Sequence, residues 1–305
     1  MFQKKIFLVF ATLFWGGTFI AGKFAVQDMH AFQIAFYRFA LASLCFLPFL
    51  IREIRKTPFN LKLHLGYFVL GFLAIFSYHY LFFYSLTLTS AISAAFIVAL
   101  NPIITTLLSS LFFRDESLNY FKLSGATIAF LGVLFVITSG NLNLMTHHSL
   151  NYGDILMFLA VFCWSASILL SRRLMRNSKA LPLTCFSTFY GALIHLPFLY
   201  WKGFLGTFPQ ASLLTWGSVI YMAIFSTAIA YIFYYESIQK LGASFTALML
   251  NLIPIWALFF AVLILGESLT VEKVVGVVLV LSGISFINLK SRSSLRNDIP
   301  CHSEE

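Results

Sequence analysis

Few side chains in this sequence could do chemistry, and most of them sit inside apolar runs. Arg38 stands about seven residues into one such run. An arginine at mid-helix in a membrane costs about 2.5–3.5 kcal/mol on insertion scales, so it must be paired, reach water or meet an anion. It reads either as a docking point for an anionic group such as a carboxylate, or as a structural pair or a side chain snorkelling toward the outer face. Asp154 is the candidate partner for the second reading. His79 and His195 are candidates for proton traffic, against the plainer role of hydrogen-bonded packing. Glu236 is a candidate coupling carboxylate. Lys240 follows it at the spacing of a favourable helix ion pair, which is the competing reading.

Aromatic residues form the second group. Trp15 and Trp164 lie far from the ends of their runs, where an indole either stacks on a bound ring or cation or packs in the core. Tyr78, Tyr80, Tyr84, Tyr231, Tyr234 and Tyr235 add hydroxyls that could orient a small molecule, and several suit a membrane interface equally well. Asn101 could supply a polar contact beside Pro102. The cysteines, Cys45, Cys163, Cys185 and Cys301, have no metal-ligand spacing and read as packing residues. No metal cluster, cofactor motif or nucleophile–base set stands out. Gly17 to Lys23 reads GTFIAGK, close to a phosphate-binding loop, but Phe24 stands where Ser or Thr is needed and no strand precedes it.

The elements that must position these residues follow from composition. The chain is 60% apolar and 10% charged, with a net charge of +9. Such a sequence has too little polar surface to cover a water-soluble globule, and runs of about 20 apolar residues suit bilayer-crossing helices. The positive charge is spread between apolar runs and forms no basic stripe, which argues against nucleic acid as a partner. Ten segments are predicted, at roughly 6–26, 31–51, 65–86, 91–113, 121–139, 152–171, 180–201, 214–237, 243–265 and 272–289. They are continuous rather than alternating, so helices are expected and not a barrel. Lys4-Lys5 before the first run reads as the flank of an uncleaved span.

With the N-terminus in the cytoplasm, sixteen Lys and Arg fall at cytoplasmic ends and loops, and three, Lys23, Lys202 and Lys273, fall on the far side. That asymmetry places both termini inside.

The chain is also written twice. AISAAFIVALNP at 91–102 matches ASFTALMLNLIP at 243–254, and Glu116-Ser117-Leu118 matches Glu267-Ser268-Leu269. Lys122, Gly125, Gly132 and Phe135 match Lys273, Gly276, Gly283 and Phe286, while Trp15 pairs with Trp164. Arg38 and Glu236 break the pattern, facing Ser187 and Tyr84. Five spans per copy reverse the direction in which the second copy enters the membrane, so the repeats are expected to be inverted, with a site between them.

These residues resemble the EamA domain of the drug/metabolite transporter superfamily. The resemblance is carried by Trp15-Gly16, Arg38-Phe39, Pro102 and Glu116, then by Gly153-Asp154, Trp164, Pro254 and Gly266-Glu267-Ser268-Leu269. It covers about residues 6–289. It implies an inner-membrane exporter or exchanger of amino acids or other small metabolites, with a cavity lined by helices 1, 3, 4, 6, 8 and 9.

The expected architecture is therefore an all-α integral membrane protein of ten transmembrane helices in two inverted five-helix repeats. Residues 1–140 form the first repeat, 141–151 an external linker, 152–290 the second repeat and 291–305 a cytoplasmic polar tail. Pro102 and Pro254 should kink the fourth and ninth helices and act as hinges or static bends. Glu116 and Glu267 should each cap the helix that follows them. Gly125-x-x-x-Ala129 suits close helix packing within the chain and would also allow a homodimer. The functional expectation is plasma-membrane export of amino acids or related amphipathic compounds by alternating access, with membrane lipid and a small-molecule metabolite as partners and no cofactor. An intramembrane enzyme and a channel are the alternatives.

Overall fold

A computed structural model describes residues 2–56, 59–112, 120–137, 151–176, 178–206, 208–241 and 249–283, and among them every regular element is helical. In chain order the elements are α1 (Phe2–Asp28), α2 (Ala31–Lys56), α3 (Leu61–Leu70), α4 (Tyr78–Leu88), α5 (Ala91–Val98), α6 (Asn101–Phe112) and α7 (Tyr120–Ile137). They continue with α8 (Tyr152–Leu174), α9 (Ala180–Trp201), α10 (Leu213–Ala223), α11 (Ala230–Leu241) and α12 (Ile253–Leu265), and end with α13 at 271–283. In lipid a chain must satisfy its own backbone groups, and continuous apolar runs do this as helices. Among the described residues six helices are long and apolar enough to cross a bilayer: Lys5–Asp28, Ala31–Arg55, Leu61–Leu88, Tyr152–Leu174, Ala180–Trp201 and Leu213–Tyr234. Ala91–Thr105 and Ile253–Leu265 are shorter apolar helices.

Two of the long helices are not α-helical throughout. Gly71–Ser77, joining α3 to α4, and Ile224–Ile229, joining α10 to α11, are π-helical. At the offset that aligns Pro102 with Pro254, the first stretch falls on 223–229, so both copies carry the same irregularity in the same place. A π turn shifts the hydrogen-bond register and leaves carbonyls to be met by side chains. Trp15 Nε1 donates to the Ser226 carbonyl at 2.8 Å, Thr227 Oγ1 to that of Met222 at 2.9 Å, and His79 Nδ1 to that of Ala74 at 2.9 Å.

Pro102 and Pro254 each stand where the α-helical pattern is interrupted. α5 ends at Val98 and α6 starts at Asn101 within one apolar helical run, Ala91–Thr105, while a 3₁₀ turn at Leu250–Leu252 precedes α12. Proline has no N–H to give the carbonyl four residues back, at Val98 and Leu250, so the regular pattern ends there and resumes at the proline.

The copies cross one another reciprocally. α2 of the first copy lies on the π stretch of the second through Arg38 and Thr227. α9 of the second lies on the π stretch of the first so closely that a Cβ at Gly71 would sit 2.6 Å from the Ser187 carbonyl oxygen. Likewise α1 packs on the start of α12, where a Cβ at Gly16 would sit 2.5 Å from Trp256 Cβ. α8 meets the start of α6, where Ser165 Oγ donates to Asn101 Oδ1 at 2.8 Å.

Carboxylates tie one end of the bundle. Asp28, closing α1, accepts from the Ser212 amide, from Ser212 Oγ and from Thr215 Oγ1 at the start of α10. Glu267 accepts from the Ala91 amide at 3.0 Å. It thus serves the start of α5, in the other copy, and not the following helix as expected; the reach across the bundle has no local sequence signature. Glu116 lies outside the described residues. Gly132 meets α13, where its Cβ would sit 2.8 Å from Leu279 Cβ, so this glycine of α7 serves a contact within the chain.

Candidate functional site

Arg38 is brought to the middle of the bundle by α2 and is 2% exposed. Nε donates to Thr227 Oγ1 at 3.0 Å, and Thr227 Oγ1 in turn donates a hydrogen bond to the Met222 carbonyl. The π stretch therefore builds the seat for the guanidinium. Cζ lies 5.1 Å from the centre of the Phe39 ring. Among the described residues no carboxylate pairs with Arg38. Among the described residues nothing accepts from Nη1. Asp154, the partner expected from the sequence, instead accepts from Thr89 Oγ1 at 2.6 Å. It stands in the first turn of α8, away from the middle of the bundle.

Around this charge the structure gathers the aromatic residues singled out from the sequence. The Trp15 ring lies 5.8 Å from Tyr231 and 5.3 Å from Tyr234, both edge-on. Trp164 lies 4.9 Å from Tyr78, 6.4 Å from His79 and 6.5 Å from Tyr231. Trp15, Tyr78, Trp164 and Tyr231 thus form one chain of rings across α1, α4, α8 and α11. Trp15, Tyr78 and Trp164 keep part of their surface accessible although each meets rings from other helices.

The remaining candidates separate from this group to different degrees. His79 is buried beside it, 4.4 Å from Phe39, and its bond to a carbonyl fixes the proton on Nδ1. His195 is fully buried, with Nδ1 on the Gly191 carbonyl at 2.7 Å and Nε2 without a partner among the described residues; Phe76 is 4.9 Å away. Asn101 is committed to tying α6 to α8, accepting from Ser165 Oγ and from Thr105 Oγ1 at 3.0 Å. The side chain of Glu236 lies outside the described residues. Tyr80 stacks on Phe32 and on Tyr84. Among the described residues no three His, Cys, Asp or Glu side chains converge as a metal site.

A cavity of about 640 Å³ opens between α1, α10 and α12, lined by Gly17, Phe24, Leu213, Gly217, Tyr221 and Ile264 among others. It is almost wholly apolar and lies beside the ring chain. Tyr221 belongs to this lining, and its hydroxyl donates to the Phe14 carbonyl of α1.

Sequence reasoning missed Thr227, Ser226 and Tyr221. The two hydroxyl residues were visible only as polar interruptions in an apolar run. Tyr221 OH and Ser226 Oγ both donate to the Phe14 carbonyl, at 3.1 and 2.9 Å, and thereby pin α1 at the turn that carries Trp15.

The sequence matches the family described as EamA-like transporters twice, at residues 4–138 and 151–289. It is 30% identical over 281 residues to the uncharacterized transporter YyaM of Bacillus subtilis, covering 92% of this chain and 91% of that protein. It is 24% identical over 293 residues to an uncharacterized transporter of Archaeoglobus fulgidus, covering 94% and 98%. A solved structure described as a crystal structure of a protein superposes with a TM-score of 0.66 at 17% identity, over 96% of this chain and 98% of the other, which is a likeness of fold.

Proposed function

The chain belongs to the EamA-like transporter family and is a membrane transporter; on that premise we propose that it is a secondary transporter of small metabolites working by alternating access. In this reading it crosses the plasma or inner membrane ten times as two inverted five-helix repeats with both termini in the cytoplasm, and exports amino acids or related amphipathic compounds.

The observation that carries the reading is the reciprocal crossing of the copies. The second helix of each copy seats on the π stretch of the other, and the first helix of each seats on the proline break of the other. Two interlocked copies of one unit support two packings of similar energy, which is what alternating access between inverted repeats requires. The breaks before Pro102 and Pro254 are the hinges in this reading. A break tolerates a change of angle at less cost than a continuous helix, because fewer backbone hydrogen bonds must be remade. Arg38, His79, His195 and Glu236 are the charge and coupling candidates, and Trp15, Tyr78, Asn101, Trp164 and Tyr231 line or border the site.

The test is counterflow in proteoliposomes with a metabolite panel, with and without a pH gradient. Saturable exchange of internal for external label is expected. Flux that neither saturates nor shows counterflow would replace the carrier by a channel. A pH gradient that leaves net transport unchanged would remove the histidines and Glu236 as coupling groups.

A further inference from the structure

We propose that the groove between α1, α10 and α12 is a lipid site, in which one acyl chain of a phospholipid lies along the bundle and reaches Gly17 and Tyr221. Such a site is independent of what the protein carries.

The groove has a direction. Phe24 and Leu213 lie at the end of the bundle where Asp28 of α1 accepts from Ser212 and Thr215. Gly17 and Tyr221 lie at its other end, so close that a Cβ at Gly17 would run into the Tyr221 hydroxyl. From Leu213 to Tyr221, α10 rises about 12 Å at about 1.5 Å per residue. The groove thus starts at a polar end of its helices and runs parallel to them for most of the hydrocarbon depth of one leaflet, about 15 Å. An acyl chain in a bilayer has that direction, that depth and that polar start.

The lining suits hydrocarbon. Among the described residues Ser218 and Tyr221 bring its only polar side-chain atoms, and the Tyr221 hydroxyl is spent on the Phe14 carbonyl. A polar cargo finds few partners there, and water fares as badly. The mouth is continuous with the flank that meets lipid: Leu213 is 90% exposed, Leu214 55% and Ile264 51%. A gap on that flank fills with hydrocarbon, because an empty one forfeits the contacts of every atom that lines it.

Gly217 is the sign that the space is kept. At Gly16, Gly17 and Gly71 another atom stands where a Cβ would be. Gly217 has no such reason to be glycine. A Cβ there would meet nothing within 4 Å, although glycine in a helix interior weakens the helix. What glycine preserves at this position is room, and the room belongs to the groove. The groove also lies between the two stretches that match the family, α1 in the first and α10 and α12 in the second. A flexible chain can follow a shift of one stretch against the other without leaving a void; a fixed side chain cannot.

Photolabelling tests the site. The full-length protein is reconstituted in vesicles of phosphatidylethanolamine and phosphatidylglycerol, doped with a phosphatidylcholine whose acyl chain carries a diazirine near its glycerol end or near its methyl end. After irradiation, labelled residues are mapped by mass spectrometry. The glycerol-end probe should label Phe24 and Leu213, and the methyl-end probe Gly17 and Tyr221. Gly217→Phe puts a ring into the groove. Labelling of Gly17 and Tyr221 should then fall to background, while Leu263, on the exposed flank of α12, is labelled as before. If Gly217→Phe does not fold, the depth order on the unmodified protein decides alone. No label at Gly17 or Tyr221, equal label from both probes at all four positions, or label that survives Gly217→Phe in a folded protein would overturn the site. Label displaced by a transported metabolite would give the groove to the cargo and overturn it as well.

Discussion

The two crossings on the π stretches show what duplication keeps and what it releases. Where α9 crosses Gly71–Ser77, backbone meets backbone. A Cβ at Gly71 would lie 2.6 Å from the Ser187 carbonyl oxygen and 2.8 Å from the Gly191 amide nitrogen. Where α2 crosses Ile224–Ile229, the position matching Ser187 is Arg38, and a guanidinium and a threonine hydroxyl fill the space. The shape of the contact is common to both copies. Its chemistry is not: one crossing is a tight packing joint, and the other holds a buried charge. A packing joint and a buried charge thus occupy equivalent places, and substitutions should tell them apart.

The largest effect is expected at the tight joint. Gly71→Val or Gly191→Val drives side-chain atoms into α9 backbone or into Ile75, and overpacking of this kind costs about 1–3 kcal/mol or more. Loss of the monodisperse peak in detergent, or a clear drop in thermal midpoint, would show it. Normal stability in both variants would mean that the helices are not held this closely. At the other crossing, Arg38→Met should leave stability within about 1 kcal/mol of the parent, because replacing a buried charge by an apolar side chain of similar volume is often neutral or stabilising. The same variant should lower saturable counterflow, in keeping with Arg38 as a charge candidate of the transport site. If Arg38→Met unfolds the protein as Gly71→Val does, the two crossings are equally structural and the contrast disappears.

Intermediate effects are expected in the ring chain. Trp15→Ala and Trp164→Ala should each weaken substrate binding by about 0.5–2 kcal/mol, read as a change in affinity at unchanged expression. Trp→Phe should be milder at Trp164. At Trp15 the bond to the Ser226 carbonyl is also lost, so Trp15→Phe should cost more than Trp164→Phe, by about 0.5–1.5 kcal/mol. Equal effects at the two positions would remove the π carbonyl from the account.

The smallest effect on stability is expected at the breaks. With each proline in a first helical turn, Pro102→Ala and Pro254→Ala need no new backbone conformation and should change stability by less than about 1 kcal/mol. The double variant should transport more slowly with normal folding, since Ala permits a continuous helix across the break. Unchanged turnover would leave the prolines as static features.

Much of the helical plan was legible because apolar runs in a membrane chain have few other solutions. The gathering of Trp15, Tyr78, Trp164, Tyr231 and Arg38 was legible in part, because each is an aromatic or charged exception within such a run and the two tryptophans are related by the repeat. The π stretches were not, since a shift in hydrogen-bond register leaves no residue signature in GFLAIFS or IFSTAI. Thr227 was missed for the same reason: in sequence it looks like any threonine bonding back to its own helix. The interruptions at Pro102 and Pro254 were legible because a proline lacks the N–H that its helix needs. Glu267 was misplaced because its acceptor role runs to α5, far away in the chain.

The central claim is that the two interlocked copies run in opposite directions through the membrane, and cysteine accessibility tests it most directly. Single cysteines replacing His147, in the segment between the copies, and Arg176, between α8 and α9, would be introduced into a background freed of Cys45, Cys163, Cys185 and Cys301. A membrane-impermeant thiol reagent added to intact cells should label position 147 and leave 176 unlabelled until the membrane is opened. Labelling of both positions from the same side would contradict the inverted arrangement, and with it the account of the paired crossings as two halves of one alternating device.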